Sequence, residues 1–197
     1  MKTPLRYQVT EYDCGTTSLL NSISFVLDRE EIPAELVHEI MTYTLDNFGD
    51  RGGEGEGGTS LLALEFICHW MDQYIKVKDL ALEVMLFEKD EAKLIPDKAE
   101  KLFKNNGCIF ASVWLMGGPH YVAITNMDNE FAYIFDPYYV DPNYFEYNDC
   151  AAVIDDAPFT HNRKVKISQL FADNEGDYCL IASGEYEELM IIRRRAS

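Results

Sequence analysis

One cysteine near the start of the chain has the setting of a nucleophile. Cys14 precedes an apolar pattern with helical spacing that runs from Leu19 to Leu27, and Asp13 before it is a favoured N-cap residue. We therefore expect Cys14 in the first turn of a helix, where unpaired N–H groups and the helix dipole favour thiolate over thiol. Gly15 is expected to keep side-chain bulk away from the sulfur. The alternative is an inert buried thiol, the common state of a free cysteine.

Gln8 lies six residues before this cysteine. Its side-chain amide is able to return to the same spot as the backbone N–H of Cys14. Two such donors would form an oxyanion hole, which stabilises the negative charge that develops during acyl transfer.

A histidine and an aspartate at the ends of two predicted strands provide partners for the thiol. His120 follows the tight turn Gly117–Pro119 and begins one strand, and Asp136 ends the next, Phe131–Phe135. In an antiparallel hairpin the start of one strand and the end of the other are neighbours, so His120 and Asp136 are placed to hydrogen-bond. Cysteine, base and orienting carboxylate together activate a thiol. Each residue alone is equally typical of a turn, and only the combination favours catalysis.

The elements around these residues predict an α+β fold. Helical patterns dominate residues 1–106, whereas apolar strand patterns dominate residues 107–197, and Ile75–Phe87 is ambiguous between the two. This segregation predicts a single domain over 1–197, with an N-terminal helical lobe packed on a C-terminal antiparallel sheet. Later short strands are expected near 151–154, 164–167, 178–182 and 189–192.

Composition excludes several classes of function. The 197 residues carry a net charge of −17, which argues against nucleic acid as a partner because its phosphates require Lys and Arg. No apolar run reaches the length of a membrane span, and the first residues are not a signal peptide. Five cysteines at irregular spacing indicate a reducing compartment, so we expect a cytoplasmic location. The basic C-terminal run Arg193–Arg195 is expected to be a frayed tail.

No metal or other cofactor is expected. Cys68 and His69 are adjacent, so on a helix they point in different directions, and no second pair lies at the spacing of zinc ligands.

A glycine- and glutamate-rich segment, residues 49–58, separates the second and third predicted helices. It lacks the Lys and Ser/Thr of a phosphate-binding loop. We expect a flexible connector. The alternative is a lid or a wall of the substrate cleft.

These motifs together resemble the bacteriocin-processing double-glycine peptidases, which are papain-like cysteine peptidases usually fused to ABC transporters. The resemblance extends to about residue 182 and rests on Gln8 and Cys14-Gly15, on Gly58-Thr59 opening a helix, and on His120-Tyr-Val and Asp136-Pro137. It implies a papain-like fold, with Cys14 as nucleophile, His120 as general base and acid, Asp136 as its orienter and Gln8 as oxyanion donor. No transporter or ATPase sequence follows, so a stand-alone member is expected, and segment 49–58 is longer than the usual connector.

Three functions remain open at this stage. The first is a thiol-dependent hydrolase that cleaves a peptide or small amide through an acyl group on Cys14. The second is an acyltransferase or amidase in which an amine accepts that acyl group, and the triad does not separate it from the first because both share the acyl-enzyme. The third is a binding protein without turnover, which the presence of all four polar residues disfavours.

Overall fold

Helices form mainly in the first half of the chain. The computed structural model describes residues 1–88, 91–104, 106–146, 148–183 and 186–195. Its helices are α1 (Cys14–Val26), α2 (Ala34–Tyr43), α3 (Leu61–Lys78), α4 (Ile95–Phe103) and α5 (Ile167–Leu170), with short 3-10 turns at Arg29–Glu31 and Ala92–Leu94.

The strands join in one antiparallel sheet. They are β1 (Leu82–Glu88), β2 (Cys108–Leu115), β3 (Gly118–Met127), β4 (Phe131–Phe135), β5 (Ala151–Val153), β6 (Arg163–Lys166), β7 (Ala182–Ser183) and β8 (Tyr186–Arg194). Their order is β1-β8-β2-β3-β4-β6-β5, and β7 pairs with β8. The predicted α+β architecture, helices packed on an antiparallel sheet, is confirmed.

Two apolar cores lie on opposite faces of the sheet. Successive side chains of a strand point to opposite faces, and β2 shows this alternation: Phe110 joins the core under α1, α2 and α3, whereas Ile109 joins the core under α4. In α1, Leu19 and Ile23 are almost fully buried against the first core. The first core therefore holds the helix that carries Cys14 against the middle of the sheet.

The ambiguous segment 75–87 contains both structures. Helix α3 ends at Lys78, and Asp79 follows with a left-handed backbone (φ 52°), after which β1 begins. The strand predicted near 178–182 is largely wrong. Tyr178 also has a positive φ, 65°, which interrupts an extended chain, and this region contributes an isolated bridge between Val113 and Leu180 and the short strand β7.

The expectation of a frayed basic tail is also wrong. Arg193 and Arg194 lie in β8, which pairs with β1. Their guanidinium groups form two-bond ion pairs with Glu83 and Glu31, respectively. Because both partners are at least partly exposed, each pair adds about 1 kcal/mol or less to stability.

Among the described residues, no helix is both long and apolar enough to span a membrane.

Candidate active site

Helix α1 places Cys14 beside β3. Cys14 is the first residue of α1, so its backbone N–H has no partner within the helix. One turn later, the buried Ser18 donates a 2.7 Å hydrogen bond from Oγ to the Tyr121 carbonyl. Tyr121 is the neighbour of His120 in β3, so this bond fixes the cysteine's helix directly against the histidine's strand.

Asp13 occupies the N-cap position, but its side chain does not cap the helix. Its carboxylate instead accepts hydrogen bonds from the backbone N–H groups of Val9 and Thr10 and from the hydroxyl groups of Thr10 and Thr17. Asp13 therefore organises the loop that leads from Gln8 into α1.

Gln8 is held close to the third predicted member of the site. Its backbone N–H donates to the carbonyl of Pro137, the residue after Asp136, at 2.9 Å. Its side-chain Nε2 donates to the Thr10 carbonyl at 2.7 Å, and its Oε1 is buried without a hydrogen-bond partner. Nε2 carries two hydrogens and this bond uses one, so the oxyanion role of Gln8 stays a prediction.

His120 and Asp136 form the hydrogen bond that the hairpin argument predicts. Strands β3 and β4 pair in antiparallel register, with Ala123 opposite Phe135. His120 Nε2 lies 2.8 Å from Asp136 Oδ1. Because a carboxylate only accepts, Nε2 carries the proton. Nδ1 is then the ring nitrogen left to act on the Cys14 thiol, which lies near enough to contribute to the raised pKa of His120.

The electrostatics favour a positively charged His120. Burial lowers its pKa, but the charge and hydrogen bond of Asp136, with a further contribution from Cys14, outweigh burial and raise the pKa to about 10. For Asp136, burial raises the pKa, yet His120, Arg163 and Tyr178 together bring it below its usual value. An imidazolium paired with a carboxylate is the state that stabilises a neighbouring thiolate.

The far side of Asp136 is enclosed by a buried polar network. Tyr178 Oη donates to Asp136 Oδ2 at 2.7 Å, and Arg163 Nε donates to Tyr178 Oη at 3.0 Å. Asn162 holds the backbone of Asp136 through two 2.8 Å bonds, one to the N–H and one to the carbonyl. The Tyr138 N–H adds a third bond to the carboxylate, at 2.8 Å to Oδ1. The orientation of this carboxylate is thus set from every side.

Gly15 is required for a reason different from the predicted one. Gly15 is buried, and a Cβ atom at this position would overlap the side chain of Thr59, with Thr59 Cβ only 2.8 Å away, and would lie 3.2 Å from the Tyr121 ring. The glycine therefore lets the start of α1 pack against the segment before α3.

A cleft of about 280 Å³ opens at Cys14. Pro119, Tyr121 and Glu188 form its sheet side. Asn47 and the segment Gly57–Leu61 form the opposite side. This cleft offers a substrate carbonyl a route to the thiol.

The glycine-rich segment 49–58 folds into a hydrogen-bonded loop, and its role as a connector or as a lid stays a prediction. Backbone hydrogen bonds close its base, from Asn47 N–H to the Gly58 carbonyl and from Gly57 N–H to the Asn47 carbonyl, and a β-bridge joins Phe48 to Glu54. The loop also lines a larger cavity of about 1140 Å³ together with Tyr12. Its glycines permit the positive φ angles that these turns require.

The remaining histidines and cysteines lie in other surroundings. Burial raises the pKa of the Cys68 and Cys108 thiols to about 12, so both stay protonated at neutral pH. The described part of the chain contains no group of three His, Cys, Asp or Glu residues placed to hold a metal ion.

Sequence reasoning missed the residues that position the triad. Ser18 was within the motif around Cys14, and its polar side chain on the buried face of a helix was the available signal. Arg163 was a charged residue at the start of a predicted strand. For Tyr178 and Asn162 no local pattern points to Asp136, which lies 42 and 26 residues away in the chain.

Comparisons with known proteins gave structural similarity only. No protein-family model matches the sequence, and no curated protein matches it. The chain is similar in structure to a double glycine motif protease from an AMS/PCAT transporter, solved in complex with the leader peptide, with 13% identity over 97% of this chain and 91% of that one, at a TM-score of 0.46. It is also similar to the peptidase domain of Streptococcus ComA, a bifunctional ABC transporter involved in quorum sensing, with 14% identity over 98% of both chains, at a TM-score of 0.47.

Proposed function

We propose that the protein is a thiol-dependent hydrolase that cleaves a peptide or peptide-like amide. One observation carries the proposal: His120 Nε2 is hydrogen-bonded to Asp136 Oδ1, and Cys14, which contributes to the raised pKa of His120, begins a helix beside an open cleft. A thiol beside a histidine that a carboxylate orients is the arrangement used for acyl transfer.

In this mechanism, Cys14 Sγ attacks the carbonyl carbon of the scissile amide. The resulting oxyanion accepts hydrogen bonds from the Cys14 N–H and from the free Nε2 hydrogen of Gln8. His120 gives its proton to the leaving amine, and an acyl group remains on Sγ. His120 then takes a proton from water, whose oxygen attacks the acyl carbon and releases the acid and the thiol.

A test that needs no known substrate is selective alkylation. Brief treatment with substoichiometric iodoacetamide, followed by peptide mapping, should label Cys14 before Cys68, Cys108, Cys150 and Cys179. Preferential labelling of any of the other four thiols in the folded protein would contradict the proposal.

The reaction itself is tested with a peptide library and mass spectrometry. Fragments and an acyl adduct on Cys14 should form with the parent protein and not with Cys14→Ala. Repeating the reaction with an added amine separates hydrolysis from acyl transfer, because a transferase yields the acylated amine as its main product. Gln8→Ala, which removes one oxyanion donor, is expected to lower kcat by about 10²-fold or more.

A further inference from the structure

Asp136 has a second set of partners that the proposed mechanism does not use. Tyr178 Oη donates to Asp136 Oδ2 at 2.7 Å and accepts from Arg163 Nε at 3.0 Å. Arg163 Nε itself lies 3.9 Å from the same Oδ2. The tyrosine hydroxyl therefore bridges the guanidinium and the carboxylate, which do not bond directly.

All three side chains lie in the protein interior. Tyr178 and Asp136 are fully buried, and Arg163 is 1% exposed. The other guanidinium nitrogens of Arg163 donate to the carbonyls of Asn162 and Tyr138, both at 2.9 Å. A buried charge fixed in this way acts strongly on its neighbours, because little water screens it.

The backbone of Tyr178 is held in a conformation that a bulky side chain rarely adopts. Its φ is 65°, in the left-handed region. Two hydrogen bonds to Trp114 flank this position, from Tyr178 N–H to the Trp114 carbonyl at 2.6 Å and from Trp114 N–H to the Cys179 carbonyl at 2.8 Å. Such conformations persist only where the surroundings impose them, and they cluster at functional sites.

We propose that Tyr178 is a positioning residue. It limits how strongly Arg163 interacts with the Asp136 carboxylate, so that the carboxylate stays available to His120. By accepting the Nε hydrogen of Arg163, its hydroxyl keeps the guanidinium one hydrogen bond away from the carboxylate. Asp136 Oδ1 and most of the carboxylate charge then remain available to His120. The inference rests on the proposed function, since it assigns Tyr178 a role in charging His120.

Removal of the Tyr178 hydroxyl is expected to weaken the stabilisation of the His120 cation. Arg163 Nε then lacks its acceptor, and Asp136 Oδ2, 3.9 Å away, lies within reach of a small side-chain movement. A direct guanidinium–carboxylate bond is strong and competes with His120 for the negative charge. The imidazolium is less stabilised, so the labelling of Cys14 is expected to require a higher pH.

The experiment compares two Tyr→Phe variants that each lose a 2.7 Å hydrogen bond to an aspartate. Tyr178→Phe removes the bond to Asp136, and Tyr133→Phe removes the bond from Tyr133 Oη to Asp128 Oδ2 at the far end of the β3–β4 hairpin. The rate of iodoacetamide labelling at Cys14 is measured against pH. In Tyr178→Phe the midpoint of the acid limb should rise by about one pH unit, because a direct Arg163–Asp136 bond takes negative charge away from His120. Tyr133→Phe should keep the parent midpoint.

Arg163→Gln tests the same inference, and here the midpoint of the acid limb is expected to shift in the opposite direction. Glutamine removes the competing charge and keeps an amide donor for the buried carbonyls, so the midpoint should fall. If Tyr178→Phe lacks a cooperative unfolding transition and is therefore not properly folded, Arg163→Gln provides the test instead. A folded Tyr178→Phe with the parent midpoint, or an upward shift in Arg163→Gln, would overturn the inference. A midpoint in His120→Ala equal to that of the parent would instead refute the proposed function, because His120 would then have no effect on the thiol.

Discussion

Replacement of Asp136 by asparagine is expected to keep the fold and remove the charge that supports His120. The carbonyl oxygen of the new amide, placed at the Oδ1 position, still accepts from His120 Nε2 and from the Tyr138 N–H. The NH₂ group of that amide then faces Tyr178 Oη, which is able to rotate its hydrogen away and accept. In Asp136→Asn the network therefore loses one hydrogen bond, the one that the Tyr178 hydroxyl donates. This costs about 1–3 kcal/mol, so a folded but less stable variant is the expected outcome.

The loss in reactivity follows from the pKa of His120. Burial lowers this pKa, and it is chiefly Asp136 that raises it to about 10. Without the carboxylate, His120 loses the largest contribution that raises its pKa, so the pKa is expected to fall and the ring to lose much of its positive charge at pH 7. Because an unassisted thiol is only a few per cent thiolate at pH 7, labelling of Cys14 should slow by about tenfold or more. Turnover should fall by about 10²- to 10⁴-fold, which corresponds to roughly 3–5 kcal/mol of transition-state stabilisation.

The same substitution changes how stability depends on pH. A histidine whose folded-state pKa is raised from 6.5 to about 10 adds stability that is complete below pH 6.5 and is lost as the pH rises towards 10. The contribution is on the order of a few kcal/mol. The urea-unfolding free energy of the parent should therefore decline across this window, and that of Asp136→Asn should decline less.

Asp128→Asn is the matched control for this experiment. Like Asp136, Asp128 accepts a tyrosine hydroxyl and backbone N–H groups, two where Asp136 has one, but it lies at the β3–β4 turn and none of these partners is a histidine. It should keep the parent labelling rate at Cys14. If Asp136→Asn folds and labels at the parent rate with the parent pH profile, Asp136 is a turn residue and the reasoning fails.

Three further outcomes are expected. Gly15→Ala should lower the unfolding free energy by about 1–3 kcal/mol and slow Cys14 labelling, because the new Cβ overlaps Thr59. Gly118→Ala is the control: a Cβ there meets nothing within 4 Å, so its unfolding free energy should stay close to that of the parent. Ser18→Ala should cost about 1–3 kcal/mol by leaving the buried Tyr121 carbonyl without this donor, and a parent-like melting temperature would contradict that. Replacement of Gly52–Gly57 by a Ser/Gly linker should lower kcat/KM for a cleaved peptide. The loss should depend on salt concentration if the loop's charges attract the substrate. Unchanged kcat and KM would mean that the loop is only a connector.

The predictable part of the site consists of residues at the boundaries of regular elements. Cys14, His120 and Asp136 each stand where a periodic pattern begins or ends, and an antiparallel hairpin fixes which strand ends meet. The backbone pattern alone therefore brings the last two together. The side-chain direction of Gln8 does not follow from such a pattern, since a loop rather than a helix or strand carries it.

The unpredicted part depends on tertiary contacts between distant segments. The left-handed conformation of Tyr178 interrupts an apolar stretch that otherwise reads as a strand, and backbone hydrogen bonds to the distant Trp114 hold it. The folded conformation of loop 49–58 also does not follow from its sequence. Its glycine content predicts freedom in the unfolded chain, whereas its folded structure is set by backbone hydrogen bonds that composition does not encode.

The buried charges bear on whether the fold serves catalysis or only binding. Asp136 and Arg163 are removed from water, and buried ion pairs are often no more stabilising than apolar side chains of the same volume. Stability alone therefore gives little reason for this network. A protein that only bound its ligand at the cleft would not require a charged histidine beneath Cys14. A protein that uses Cys14 as a nucleophile gains from one, and Asp136, oriented by Tyr178, supplies its counter-charge.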